Sequence, residues 1–237
     1  MLFSCKNDNN QKEEQFINQE EKVTNTRKKI DIPNVTHYSK LNSAYPETED
    51  YFGNFKLDRF NKEKSSLFLD GISDYGIVDY KKELNPTEQM TVSVWYKPDS
   101  YKGSGYNVII SKTSLDNKKQ YVLSSVGNLY PKVPATFRFF ISIGGKTYNL
   151  KTKPNFWEPN VWYLISGTYD GASIKLYVNN NLEASKKVTG KMDTYETDLF
   201  IGKSAEKKFY TSGHFDDLRI FNRAISKKEI EALYANK

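Results

Sequence analysis

From about residue 66 to residue 221 the chain repeats one pattern: a short run of alternating apolar and polar residues, then a turn signal. The clearest case is residues 90–97. Met90, Val92, Val94 and Tyr96 have one parity, Thr91, Ser93, Trp95 and Lys97 the other, and Pro98 ends the run. Residues two apart on a strand share a face, so the alternation predicts a strand. Further runs fall at 66–69, 75–78, 107–112, 120–125, 136–143, 146–151, 161–169, 174–178 and 198–202, punctuated by pairs such as Asp70-Gly71, Gly144-Gly145 and Asp170-Gly171. With the closing strand this makes about a dozen strands, judged from spacing alone. No strand–helix alternation is present, which excludes a parallel Rossmann or TIM-barrel sheet.

The run ends in Gly213-His214-Phe215-Asp216-Asp217-Leu218-Arg219-Ile220-Phe221, followed by Ser226-Lys227-Lys228-Glu229. The first stretch reads as the last strand. Asp216 has the parity of Leu218 and Ile220, so it is expected to point inward, where a carboxylate needs a partner. The second stretch is a capping box that opens a short C-terminal helix. Ile225, Ile230 and Leu233 would press that helix onto the sheet.

Length allows one large all-β domain or two small ones. The dominance of strands favours one, over residues 37–237, preceded by a flexible tether over 1–36 that is rich in Asn, Gln, Lys and Glu. The formal net charge is +6, but lysines are scattered and acids are many. That pattern carries no nucleic-acid footprint. The single cysteine, Cys5, excludes an internal disulfide. No apolar run reaches the ~20 residues of a membrane helix. Met1-Leu2-Phe3-Ser4-Cys5 looks like the end of a bacterial lipoprotein signal of Bacteroidetes type, with Lys6-Asn7-Asp8-Asn9-Asn10 as the start of the tether. On that reading Cys5 is lipidated, the true start lies upstream, and the protein sits at the cell surface or in the periplasm on the outer membrane. The alternative is a chance tetrapeptide at an ordinary start.

Several phrases together resemble a known family. They are Phe68-Leu69-Asp70-Gly71 with Asp74-Tyr75, the 90–98 run, Trp162-Tyr163-Leu164-Ile165-Ser166-Gly167-Thr168-Tyr169-Asp170-Gly171, Ile174-Lys175-Leu176-Tyr177-Val178-Asn179, Leu199-Phe200-Ile201-Gly202 and the closing stretch. In that order they are similar to the laminin-G-like jelly rolls of the concanavalin A-like lectin/glucanase superfamily. The resemblance covers roughly residues 38–236 and implies two antiparallel sheets packed as a jelly-roll sandwich, one with a concave face. Asn180 stands where the family usually has Gly, and the N-terminal part is less typical.

The resemblance also implies a structural Ca²⁺ held by the acid at Asp216, with Asp70 or Asp50 as contributors. The alternative for Asp216 is a set of amides, or an arginine such as Arg59 or Arg219. A second expectation is a carbohydrate surface of aromatic rings and polar anchors. Trp95 and Trp162 read as packing residues. Trp157, between Pro154 and Pro159, is the loop-borne stacking candidate, its alternative being a ring folded over the sandwich edge. Tyr101, Tyr106, Tyr130 and Tyr148 are weaker candidates, with Arg138 as polar partner. The superfamily's glycosidase signature, Glu-x-Asp-x-(x)-Glu, is absent; Glu47-Thr48-Glu49-Asp50 and Glu196-Thr197-Asp198 are the nearest runs. The expectation is therefore a non-catalytic, surface-anchored glycan-binding module. A protein-recognition or adhesion module whose partners are other surface proteins is the runner-up, and a divergent glycosidase comes third.

Overall fold

The computed structural model describes residues 32–33, 35–41, 49–100, 106–116, 118–127, 134–206 and 209–236. Its elements in chain order are β1 (Val35–Ser39), β2 (Glu49–Phe52), β3 (Asn54–Lys56), β4 (Ser66–Asp70), β5 (Tyr75–Val78), β6 (Met90–Pro98), β7 (Tyr106–Thr113), β8 (Lys119–Val126), β9 (Thr136–Ile143), β10 (Lys146–Lys151), β11 (Tyr163–Tyr169), β12 (Ser173–Val178), β13 (Asn181–Lys187), β14 (Leu199–Ile201), β15 (Ser212–Phe221) and the helix α1 (Lys227–Ala235). They form two antiparallel sheets, as expected of a jelly-roll sandwich. One has eight strands, in the order β13-β12-β11-β6-β15-β4-β3, with β1 paired to β15 off that path. The other has seven, in the order β10-β9-β8-β7-β14-β5-β2.

The alternation of β6 does what its pattern predicts. Met90, Val92, Val94 and Tyr96 enter the core between the sheets, where they meet Leu123, Phe137, Phe139 and Ile141 of the opposite sheet. Each fully buried aliphatic or aromatic side chain here contributes roughly 1.5–3 kcal/mol. Gly167 of β11 allows one close approach, because a Cβ there would lie 2.5 Å from the Phe139 ring. The other parity of β6 is buried too, for a different reason. Trp95 belongs to a second apolar layer, with Ile230 and Leu233 of α1, on the outside of the eight-stranded sheet. The capping box at Ser226 and Glu229 is present as predicted.

Two sequence expectations change. The tether boundary at residue 36 falls inside β1, and Ile32 is already buried in the outer layer. Residues 1–31, with Cys5, lie outside the described part. The inward parity of Asp216 is also corrected. β15 pairs Phe215 with Tyr96 and Asp216 with Trp95, then Arg219 with Ser93, so it carries one extra residue between. That residue is Asp217, at φ 47°. The bulge reverses the faces. Phe215, Leu218 and Ile220 point into the core, while Asp216 and Arg219 share the outer face with Trp95.

Candidate functional site

The seven-stranded sheet has an outward face, and a bulge shapes it. On β7, Val108 pairs with Ser124, Ile110 with Leu123 and Ser111 with Val122, so Ile109 is the extra residue. Ile109 and Ile110 both enter the core, and Tyr106, Val108 and Ser111 are left facing out. Above them opens a cavity of about 260 Å³. Val108 and Val122 contribute apolar surface, Tyr106 and Phe209 aromatic rings, and Ser111, Thr113, Ser204 and Lys119 polar groups. The Tyr106 ring meets Phe209 edge-on at 5.3 Å and Phe140 at 6.3 Å. Burial pushes the Tyr106 hydroxyl up from its ordinary pKa, against the pull of Ser124 and Arg138, so it stays protonated. Apolar walls with a few fixed polar groups are the make-up of a small-ligand site.

The aromatic surface continues across the same face. Phe52 of β2 lies 4.7 Å from Tyr75 of β5, and Tyr75 lies 6.5 Å from Tyr210. Lys203 places its ammonium 3.5 Å from the Tyr75 ring centre and 4.7 Å from that of Phe200. Cation–π contacts of this kind hold the lysine stem over the rings.

Of the residues singled out from sequence, Tyr106 lines the cavity and Arg138 stands near it on the same face, its Nε donating to the Thr136 hydroxyl. Tyr148 does not join them. It packs against the core beside β13, with Lys146 and Lys186 each 5.5 Å from its ring. Trp157 is a correction: it is 1% exposed, its Nε1 donating to the carbonyls of Val126 and Thr136 while its ring stacks on Phe137. A ring held that way presents no face to a ligand. The edge-folded arrangement is the one found. Tyr101 and Tyr130 lie outside the described residues. Sequence reasoning missed Phe209 and Lys119, which reach the cavity from a loop after β14 and from the start of β8. No local pattern marks them.

Asp216 and Asp70 do not fit one calcium ion. In register Asp70 stands opposite Ser212, four residues before Asp216 on β15, a separation of about 13 Å along a strand. The Asp70 carboxylate accepts from the amides of Ile72, Ser73 and Asp74, which lower its pKa against the opposing effect of desolvation. Asp216 accepts from Arg59 Nη1, and Asp217 from Arg59 Nη2. The guanidinium thus occupies the position a cation would take, and its Nε donates to the Asn236 carbonyl at the end of α1. Among the described residues no group of three or more His, Cys, Asp and Glu is arranged to hold a metal.

A third polar group is buried between β1 and β2. Glu49 accepts from the hydroxyls of Ser39 and Tyr51, and His37 Nε2 lies 3.4 Å from its other oxygen. Burial, and then the charge of Lys81, bring His37 down to about 4. Ser39 bonds the carboxylate, so the three do not form a serine–histidine–acid relay in the order that nucleophilic catalysis uses.

A family model described as the concanavalin A-like lectin/glucanases superfamily matches residues 70–231. No curated protein matches the chain. Among solved structures, the botulinum neurotoxin serotype D binding domain is similar at 17% identity and TM-score 0.62, over 86% of this chain and 52% of that one. The serotype D ligand binding domain in complex with N-acetylneuraminic acid is similar at 19% identity and TM-score 0.59, over 80% and 46%. The binding domain of Paraclostridial Mosquitocidal Protein 1 is similar at 14% identity and TM-score 0.62, over 85% and 52%. The chain spans about half the length of these structures, and the likeness is one of fold.

Proposed function

The chain belongs to the concanavalin A-like lectin/glucanases superfamily, and on that premise we propose that it is a glycan-binding module whose saccharide enters the cavity between Tyr106 and Phe209. The cavity itself is the observation that carries this reading. Two aromatic rings offer faces and edges to the C–H surface of a sugar. Ser111, Thr113 and Ser204 can exchange hydrogen bonds with its hydroxyls, and Lys119 can donate to an oxygen. The serotype D domain in complex with N-acetylneuraminic acid, which has the same fold, lends support. Among the described residues no carboxylate lines the cavity, which supports binding over hydrolysis, since hydrolysis needs a carboxylate pair.

The same proposal keeps the module at a bacterial cell surface, tethered by a lipid on Cys5. Its support is the Leu2-Phe3-Ser4-Cys5 run and the polar segment after it. A protein-recognition reading draws on different residues: Phe52 is 51% and Ile72 77% exposed, near one end of the sandwich.

The test is a glycan array followed by affinity electrophoresis with wild type and Tyr106→Ala. Wild type is expected to be retarded by at least one polysaccharide and the variant released. Retardation of neither, or of both equally, overturns the assignment of the site.

A further inference from the structure

On the far side of the sandwich, the eight-stranded sheet carries a row of side chains that the cavity reading leaves unused. Phe68 of β4 stands opposite His214 of β15, and His214 opposite Lys97 of β6. Tyr96 pairs with Tyr163, so the next step along brings Trp162 beside Lys97. The ring centres of Phe68 and His214 are 5.0 Å apart, and those of Trp162 and His214 6.1 Å. Lys56 holds its ammonium 3.9 Å from the Phe68 ring centre, and Lys97 holds its own 5.4 Å from that of Trp162. Three rings therefore lie along a row across the strands, with Lys97 on the strand between Trp162 and His214 and Lys56 at the β3 end.

The charge of this row is positive and weakly opposed. Among the described residues neither Lys56 nor Lys97 forms an ion pair with a carboxylate. The acid acting on the row is Asp99, whose Oδ2 accepts from the Ser212 hydroxyl. Burial, then Lys97, then Lys56 push His214 down to about 4, with Asp99 opposing them. Neutral at pH 7, the imidazole shares a hydrogen bond with Ser66 at 3.3 Å through Nδ1. Two lysines close enough to depress a neighbouring histidine mark a local field that an anion would relieve.

We propose that the Phe68–His214–Trp162 row, with Lys56 and Lys97, is a second binding site for a polyanionic saccharide carrying carboxylate or sulfate groups. Lys56 and Lys97 are borne by β3 and β6, three steps apart in the sheet, and each lowers the pKa of His214 between them. A saccharide chain with repeated anions lying along the row meets both. An ammonium lies over the Phe68 ring and another over that of Trp162, which disfavours single-stranded nucleic acid, since bases need open rings to stack on. The site is on the opposite sheet from the cavity and does not depend on it.

His214 is one of only two histidines, so its titration can be followed in the full chain by NMR. Polygalacturonate and dextran sulfate are the probes, and neutral dextran, poly-glutamate and oligo-dT the comparisons. Either anionic saccharide is expected to raise the His214 midpoint from about 4 toward its ordinary value and to leave His37 in place. Lys56→Gln with Lys97→Gln should weaken binding by about tenfold, and rising salt should weaken it further. Tyr106→Ala should leave it intact. An unmoved His214 with both anionic saccharides overturns the proposal. An equal shift with poly-glutamate, oligo-dT or neutral dextran overturns its assignment to an acidic saccharide.

Discussion

Arg59 Nη1 donates to the Asp216 carboxylate where the two side chains are 2% and 0% exposed. The bulge of β15 brings Asp217 under the same guanidinium, and Tyr38 donates to the other Asp217 oxygen at 2.7 Å. One arginine thus ties the 57–62 loop, the closing strand and the end of α1. Replacing Arg59 with Met leaves two buried carboxylates without that cation. Breaking a buried pair in this way costs about 3–5 kcal/mol. Urea unfolding should show that loss, and Arg59→Lys should recover only part, because an ammonium cannot fork across two carboxylates. A loss below about 1 kcal/mol would mean that the guanidinium contributes little there.

The same contact predicts the response to calcium. A cation that binds only the folded state raises the melting midpoint. With Arg59 across Asp216 and Asp217, and the Asp70 oxygen bound to three amides, chelator should leave the midpoint of wild type where it was. A drop on adding chelator, restored by Ca²⁺, would show a metal site made of other groups.

How much of this was legible in the sequence depended on whether a signal was local. The β6 alternation, the turn pairs and the Ser226 capping box each lie within a few residues, and each appears as read. The bulge in β15 is not local in that sense. Asp216 and Asp217 both tolerate a left-handed backbone, and nothing in the run says which one takes it or that an extra residue is present. Parity counted through the bulge therefore assigns Asp216 the wrong face. The second arginine of the two weighed, Arg219, lies with its guanidinium 4.2 Å from the Tyr38 ring centre. The cavity was half legible: Tyr106 stood out as an aromatic on or near a loop, but Phe209 comes from a distant segment. β13 was not legible, being an exposed edge strand with no apolar alternation.

Trp157 shows how a loop residue can be core. The segment 152–160 folds inward because the indole N–H can reach two backbone carbonyls, at 3.2 Å and 3.3 Å, while its ring fills space beside Phe137. Trp157→Ala should therefore act on stability, by about 3–5 kcal/mol, rather than directly on a ligand. Trp157→Phe should lose less, since it keeps most of the volume and gives up the donor. If Trp157→Ala unfolds at the wild-type urea midpoint, the burial is wrong.

The histidines give a pH dependence with a fixed sign. His37 is 8% exposed and its pKa is brought down to about 4, first by burial and then by Lys81. Glu49 Oε1 at 3.4 Å would favour the cation, while the Ser39 and Tyr51 hydroxyls hold Oε2, and desolvation of the imidazolium prevails. The unfolded chain protonates this side chain near 6.5, and the folded one resists until about 4. Between those values the unfolded state binds more protons, so stability must fall as pH drops through that window and then level off. The whole difference is about 3 kcal/mol for His37. His214 adds a change of the same sign. Glu229, held at about 2 by Arg223, contributes stability that is lost only below its unfolded value of 4.5. The upper part of the window, from 6.5 to 4.5, therefore reports the histidines. Urea midpoints measured at pH 7.5, 6.5, 5.5 and 4.5 should decline across it. His37→Gln and His214→Gln should each remove part of the decline, and the double variant all of it. A flat profile in wild type would place His37 in water or leave it an imidazolium paired with Glu49, and either would overturn the neutral, buried His37.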